Sequence, residues 1–156
     1  KSIRFPKGRL YEDAATTYKL IDICDKISFV SISIYNYIIR VNSITNSSFS
    51  TKKLDLIIST KEMCDYIVNK YPELKGACNR RLMWAYLSTL SQLAMCDKRY
   101  INEEKELISF IRKNSYSVLK DKRAPMRDKI GILSSLLGFK VYQFMWNIYR
   151  KITGRK

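Results

Sequence analysis

Residues 73–96 read ELKGACNRRLMWAYLSTLSQLAMC, and these residues indicate the fold class most clearly. Its apolar side chains, among them Leu82, Trp84 and Leu90, recur at helical spacing but face several sides. A helix that is apolar on several sides is normally buried among other helices. The stretch therefore predicts a long central helix, in which Gly76 delays the first regular turn.

The segments after residue 50 predict further helices around this one. Thr51 can cap a helix that ends near Tyr71, because Pro72 disfavours helical geometry in the residue before it. Asn102 is followed by three glutamates, which favour a helix N-terminus through the helix dipole. The last region, residues 125–151, predicts one helix, or two that are broken near the glycine at position 138.

The segment before residue 50 mixes a helix with strands. Residues 13–24 have apolar side chains at helical spacing, whereas residues 27–30 and 34–39 alternate and are β-branched. Residues 42–50 are rich in turn formers and predict a loop. The expected fold class is mostly α with some β: two or three short strands followed by a helical bundle.

The chain is strongly basic, with 29 Lys and Arg against 14 Asp and Glu and a formal charge of +15. This excess favours phosphate-rich partners such as nucleic acid, anionic lipid or a sugar nucleotide. The basic residues are spread along the chain, which equally fits solvated helix faces on a basic surface. The chain starts at Lys1 rather than Met, which we interpret as a cut piece or processed product.

The cysteine and histidine content excludes several kinds of site. The cysteines at positions 24, 64, 78 and 96 form no C-x-x-C pair, and the chain has no histidine. A zinc site would need all four distant thiolates as ligands. Ser-His and Cys-His catalysis are excluded because the chain has no histidine to act as the base. We therefore expect reduced cysteines, mostly buried, in a cytosolic protein.

A known pattern covers about the first third of the chain. Residues 4–19 read RFPKGRLYEDAATTYK, with DKI at 25–27, IYNY at 34–37 and RVNSI at 40–44. This ordered set resembles bacterial family-2 glycosyltransferases, in which a Glu-Asp pair opens a helix after a Phe-Pro-x-Gly turn. Downstream of residue 54 the resemblance adds little.

The resemblance implies a GT-A fold, with a nucleotide-binding half and an acceptor-binding half. Residues 1–50 would be the acceptor-side end of the catalytic GT-A domain, and residues 51–156 a C-terminal helical domain. The implied activity is inverting sugar transfer from a nucleotide sugar to a glycan or lipid-linked acceptor in surface polysaccharide synthesis. Nucleotide sugar and glycan acceptor are the implied partners, and no nucleic acid is expected.

The same resemblance implies roles for the Glu-Asp pair. Asp13 would be the general base that deprotonates the acceptor hydroxyl, and Glu12 would position Asp13 or accept a hydroxyl hydrogen bond. A carboxylate in the first turn of a helix is stabilised as an anion, which suits a base at neutral pH. The structural alternative is an ordinary N-cap carboxylate with an acidic neighbour.

Three further residues are candidates for binding substrate. Arg40 would contact the donor diphosphate, although a surface arginine after a strand is the alternative. Tyr35 and Tyr37 would share one face of a strand and stack on an acceptor sugar, or pack against the core instead.

The donor-binding parts of the family are missing from this sequence. It contains no D-x-D motif for Mg²⁺ or Mn²⁺ and no Gly-rich phosphate loop. We therefore expect no metal site or cofactor in this chain and assign the metal to an upstream half of the intact enzyme. The fragment alone is predicted to be inactive, since the metal neutralises the leaving diphosphate.

The C-terminal stretch, residues 139–156, has an apolar stripe and five basic residues. Such a helix either packs on its own domain or lies on an anionic membrane surface. The second case would place the protein in the cytoplasm at the inner face of the membrane. The competing functional class is a non-catalytic basic helical module that binds nucleic acid or a protein partner; a purely structural helical domain is a third.

Overall fold

The computed structural model describes residues 2–36, 38 and 47–154, and all regular secondary structure in these residues is helical. Short 3₁₀ helices at Thr51–Leu54 and Pro72–Leu74 precede the second and third α-helices. The α-helices are α1 (Glu12–Asp22), α2 (Asp55–Lys70), α3 (Lys75–Ala94), α4 (Ile101–Lys120), α5 (Met126–Leu136) and α6 (Phe139–Thr153).

Helix α3 is the centre of the bundle, as its sequence predicted. It packs against α2, α4, α5 and α6, and α1 packs against α2. Met83, Ala85 and Leu90 of α3 are almost completely buried. On the α4 side, the rings of Tyr86 and Phe110 stack with centroids 3.6 Å apart.

The predicted helix ends are confirmed where the sequence carries a strong signal. Helix α2 stops at Lys70, before Pro72, and α4 has Glu103 and Glu104 in its first turn. The break between α5 and α6 falls at Gly138, whose φ of +115° suits glycine. Helix α6 then folds back on the core.

The prediction of short strands is wrong for the described residues. Residues 27–36 form neither a strand nor a helix, and their apolar side chains face solvent, with Phe29 91% exposed. Alternation and β-branching express only a local preference, whereas a strand needs hydrogen bonds to a neighbouring strand. The described residues contain no such neighbour, so the expected mixed fold of strands followed by a bundle is corrected to a helical one. Residues 37 and 39 of the second predicted strand lie outside the described part of the chain.

None of the helices among the described residues is long and apolar enough to cross a membrane. The division of the chain between residues 50 and 51 stays a prediction.

Candidate functional site

The approach to the Glu-Asp pair is fixed by contacts with α2. The predicted turn is present at Lys7–Gly8, and Gly8 has a φ of +76°. Arg9 then makes two hydrogen bonds to the Glu62 carboxylate, of 2.7 and 3.1 Å. The backbone N–H of Leu10 donates to Asp55 Oδ2 at 2.9 Å. These contacts anchor the chain immediately before α1.

Tyr11 holds a strained backbone conformation at the start of α1. It is the N-cap of the helix and has a φ of +58°, which is unusual for a residue other than glycine. Such strain costs on the order of 1–3 kcal/mol and often occurs next to functional residues. Burial raises the pKa of the Tyr11 hydroxyl, and a hydrogen bond with Gln92 opposes that rise.

The Glu-Asp pair occupies the first two positions of α1, so the predicted helix start is confirmed. Because the N-cap is Tyr11, the alternative that Asp13 is an ordinary N-cap carboxylate is wrong. Both acidic residues are exposed, and Asp13 lines a pocket. Glu12, the residue before Asp13, is not part of the wall of that pocket.

The pocket at Asp13 has a volume of about 310 Å³ and is bounded by α1, α2 and α3. We call it the Asp13 pocket. On α3, the guanidinium carbon of Arg81 lies 4.1 Å from the centroid of the Trp84 ring, a cation–π contact. Gln92 also lines the pocket, and its Oε1 atom is buried without a hydrogen-bond partner in the described residues. The complete lining is Tyr11, Asp13, Ala14, Leu56, Arg81, Trp84, Ser88 and Gln92.

A second, larger cavity of about 380 Å³ lies between α3, α5 and α6. We call it the α5–α6 cavity. It shares two lining residues, Trp84 and Ser88, with the Asp13 pocket, so the two spaces adjoin along α3. Its walls combine aromatic and aliphatic side chains with a few polar groups, which is typical of small-ligand sites.

The polar centre of this cavity is the ion pair between Arg127 and Asp128. Asp128 is only 5% exposed, and its Oδ1 accepts Nε of Arg127 at 2.9 Å and Nη2 at 2.8 Å. Burial lowers the pKa of Arg127, but the hydrogen bond and charge of Asp128 outweigh it and the pKa is raised. Arg127 therefore stays charged in the cavity wall.

The aromatic residues of α6 form the opposite wall. The rings of Trp146 and Tyr149 stack with centroids 5.4 Å apart and an interplanar angle of 30°. The Trp146 Nε1 atom is buried with no hydrogen-bond partner among the residues that the structure describes. Tyr142 already uses its hydroxyl, which donates to the Leu87 carbonyl at 2.9 Å.

The structure does not bring the other predicted substrate-binding residues to this site. Tyr35 lies in the irregular segment of residues 27–36 and is 80% exposed. Tyr37 and Arg40 lie outside the described residues.

The sequence analysis missed the residues of α3 that complete the Asp13 pocket. Arg81, Trp84, Ser88 and Gln92 follow one another at spacings of three, four and four, which places them on one helix face. A face that mixes an aromatic ring with polar groups, on an otherwise apolar central helix, is the signal that would have found them.

Within residues 2–36, 38 and 47–154, no group of three or more Cys, Asp or Glu side chains is arranged to hold a metal ion. The four cysteines are free; Cys64 and Cys78 are buried, whereas Cys24 is exposed.

Comparison of the chain with protein-family models, with curated proteins and with solved structures finds no match. The resemblance to family-2 glycosyltransferases therefore stays a prediction, and function has to be inferred from the pockets themselves.

Proposed function

We propose that this chain is the acceptor-side part of an inverting family-2 glycosyltransferase, in which Asp13 is the general base. The observation that supports the proposal is the position of Asp13 in a pocket beside Trp84, Ser88 and Gln92. A sugar ring has an apolar face, which an aromatic side chain can cover, and hydroxyl edges that bond to carboxylates, amides and hydroxyls. The pocket offers both kinds of contact around one carboxylate.

In the proposed reaction, the acceptor hydroxyl attacks the anomeric carbon of the donor. The new bond joins the acceptor oxygen to that carbon, and the bond from the carbon to the diphosphate oxygen breaks. The nucleoside diphosphate leaves with the electron pair, and the hydroxyl proton passes to the Asp13 carboxylate. Glu12, one position earlier on α1, orients Asp13 or accepts a hydrogen bond from a second hydroxyl.

The nucleotide sugar, and Mg²⁺ or Mn²⁺ with it, belong in this proposal to the donor-binding part of the intact enzyme. The described residues of this chain do not offer a fitting set of metal ligands. The products that we propose are glycans or lipid-linked glycans for surface polysaccharide.

The outward face of α6 supports a place at the cytoplasmic membrane surface. Tyr142 and Trp146 turn inward, whereas Phe144 is 64% exposed and Ile152 is also exposed. This outward stripe lies on a chain of net charge +15, which complements anionic lipid headgroups. We propose peripheral contact with an anionic membrane through this face.

The non-catalytic alternative, a basic module that binds nucleic acid or a protein partner, has the net charge as its main support. Charge alone does not account for a carboxylate in each of the two adjoining pockets, because carboxylates repel phosphate groups.

The proposal is tested by binding of the chain to an array of bacterial surface glycans and of single-stranded nucleic acids at physiological salt. Asp13→Asn keeps the shape of the pocket but removes a hydrogen-bond acceptor. It also raises the net charge by one, from +15 to +16. Non-specific attraction to acidic ligands would therefore strengthen, whereas binding in the Asp13 pocket would weaken.

We expect weaker binding of a defined set of glycans to Asp13→Asn and a smaller change in Glu12→Gln, the matched control on the same helical turn. Equal binding by all three proteins, or binding that is confined to nucleic acid, would contradict the proposal.

A further inference from the structure

We propose that the α5–α6 cavity is a second saccharide subsite, which binds the part of the acceptor that extends beyond the sugar at Asp13. This inference rests on the proposed function, because it assigns the Asp13 pocket to the reacting sugar. The α5–α6 cavity adjoins that pocket at Trp84 and Ser88. One oligosaccharide can therefore occupy both spaces without leaving the surface of α3.

Each of the two spaces contains one buried polar atom that lacks a partner in the described part of the chain. In the Asp13 pocket this atom is the acceptor Gln92 Oε1, and in the α5–α6 cavity it is the donor Trp146 Nε1. A buried polar group without a partner is unfavourable, and a bound ligand that supplies the partner removes this cost. A sugar hydroxyl can both donate and accept, so the same class of ligand satisfies both atoms.

The charged pair in the cavity indicates a neutral ligand. Arg127 is engaged by Asp128 through two contacts to the same carboxylate oxygen, Oδ1. A phosphate or carboxylate ligand would meet the negative charge of Asp128, which is buried where screening by solvent is weak. The Oδ2 atom of Asp128 is the oxygen that we assign to a ligand hydroxyl.

The remaining walls suit the apolar face of a sugar ring. The Tyr142 hydroxyl is directed to the Leu87 carbonyl. Gly131 lets α5 approach α3 closely, because a Cβ at this position would lie 3.3 Å from Leu87 Cδ2. The stacked pair of Trp146 and Tyr149 adds a broad aromatic surface. The volume of about 380 Å³ lies within the range of about 300–1,000 Å³ that is typical of small-ligand sites.

The test uses the two tryptophans of the chain, which report on different spaces. In Trp84→Phe the remaining tryptophan is Trp146, which lines the α5–α6 cavity and not the Asp13 pocket. In Trp146→Phe it is Trp84, at the junction of the two spaces. The probes are neutral oligosaccharides of one to four units, prepared from hexose, N-acetylhexosamine and deoxyhexose polymers.

For the wild-type chain we expect affinity to rise about tenfold between a single sugar and the longer oligosaccharides. The Trp146 signal should change with the longer oligosaccharides only. Asp128→Asn and Trp146→Phe should each remove most of the increase in affinity with oligosaccharide length. Asp25→Asn, at an exposed carboxylate outside both spaces, is the control for Asp128→Asn. If Asp128→Asn does not fold, the test is decided by whether Trp146→Phe loses the increase in affinity with oligosaccharide length.

The possible failures are distinguishable. If saccharides bind with a dependence on Asp13 but length has no effect and Trp146 is silent, the subsite is wrong and the proposed function stands. If Trp146 responds while Asp13→Asn binds normally, the cavity is a saccharide site but the proposed function fails. If no saccharide changes either tryptophan, both proposals are overturned.

Discussion

Asp13 and Trp84 line the same pocket, although one opens α1 and the other lies in the middle of α3. The carboxylate that the sequence predicted to be catalytic therefore faces an aromatic side chain that the sequence assigned to the core. Their proximity links the proposed chemistry of Asp13 to a surface that can bind a sugar ring.

Asp13→Asn should lower the rate of transfer in the intact enzyme at least about 100-fold. Asparagine keeps the size of the side chain but cannot take a proton, and general-base assistance contributes about 10²–10⁴ in rate. Donor affinity should change little, and Glu12→Gln should cost less if Glu12 only orients its neighbour. Turnover and melting temperature are measured on the same proteins.

If Asp13 has a structural role only, a different result is expected. It would contribute only its interaction with the helix dipole, about 0.3–1 kcal/mol, and its loss would leave turnover intact. Near-normal turnover of Asp13→Asn would remove this residue from the mechanism.

Asp22 should make the packing of α1 on α2 sensitive to acid. Its carboxylate accepts hydrogen bonds from Lys70 at 2.7 Å, Tyr66 at 2.5 Å and Tyr71 at 2.8 Å. These bonds, that from Lys70 foremost, lower the pKa of Asp22 from 3.8 to about 2. Because the folded-state pKa is depressed, the contribution to stability is complete above about pH 4 and is lost as the pH falls towards 2.

The measurement is the melting temperature between pH 2 and 6 for the wild type, Asp22→Asn and Asp25→Asn. We expect Asp22→Asn to be less stable at pH 6 and to converge on the wild type near pH 2. Asp25→Asn, at a nearby exposed carboxylate, should follow the wild-type curve. A constant difference between the wild type and Asp22→Asn across this range would contradict the assignment.

The sequence predicted the helices well because their signals are local. Apolar periodicity marks α3, Pro72 ends α2, and Gly138 separates α5 from α6. The strands failed for the opposite reason, since a strand exists only with a partner that can lie far away in sequence. The β-branched residues of the 27–36 segment could not reveal that such a partner is missing from the described residues.

The candidate site was only half predictable. Asp13 was found because it belongs to a short sequence pattern, whereas the residues around it come from a helix far along the chain. Trp84 was assigned to the core because aromatic residues on a central helix are usually buried. Arg127 and Asp128 have opposite charges and are adjacent, which is also typical of a solvated surface. The burial of Asp128 in a cavity wall depends on the packing of α5 and α6 against α3.

Tyr142→Phe should lower stability without closing the α5–α6 cavity. The change removes the hydrogen bond from the buried Tyr142 hydroxyl to the Leu87 carbonyl, which ties α6 to α3. The expected loss is about 0.5–1.5 kcal/mol, or roughly 1–6 °C in melting temperature for a chain of this size. Tyr116→Phe, at an exposed tyrosine of α4, is the matched control and should have no effect. Equal melting temperatures for both variants would show that the bond contributes no net stability.

The outward face of α6 should bind anionic membranes. The chain is expected to sediment with vesicles of phosphatidylglycerol and phosphatidylcholine but not with phosphatidylcholine alone. Added salt should weaken the binding, because it screens the attraction between basic side chains and headgroups.

Phe144→Ser removes an exposed apolar side chain whose full burial contributes about 1.5–3 kcal/mol. If Phe144 inserts into the interface, affinity for the vesicles should fall about tenfold. Phe5→Ser is the matched control, because Phe5 is similarly exposed but lies before α1. An equal effect of the two substitutions would mean that the chain binds vesicles through its charge alone, and α6 would then have no special part in membrane contact.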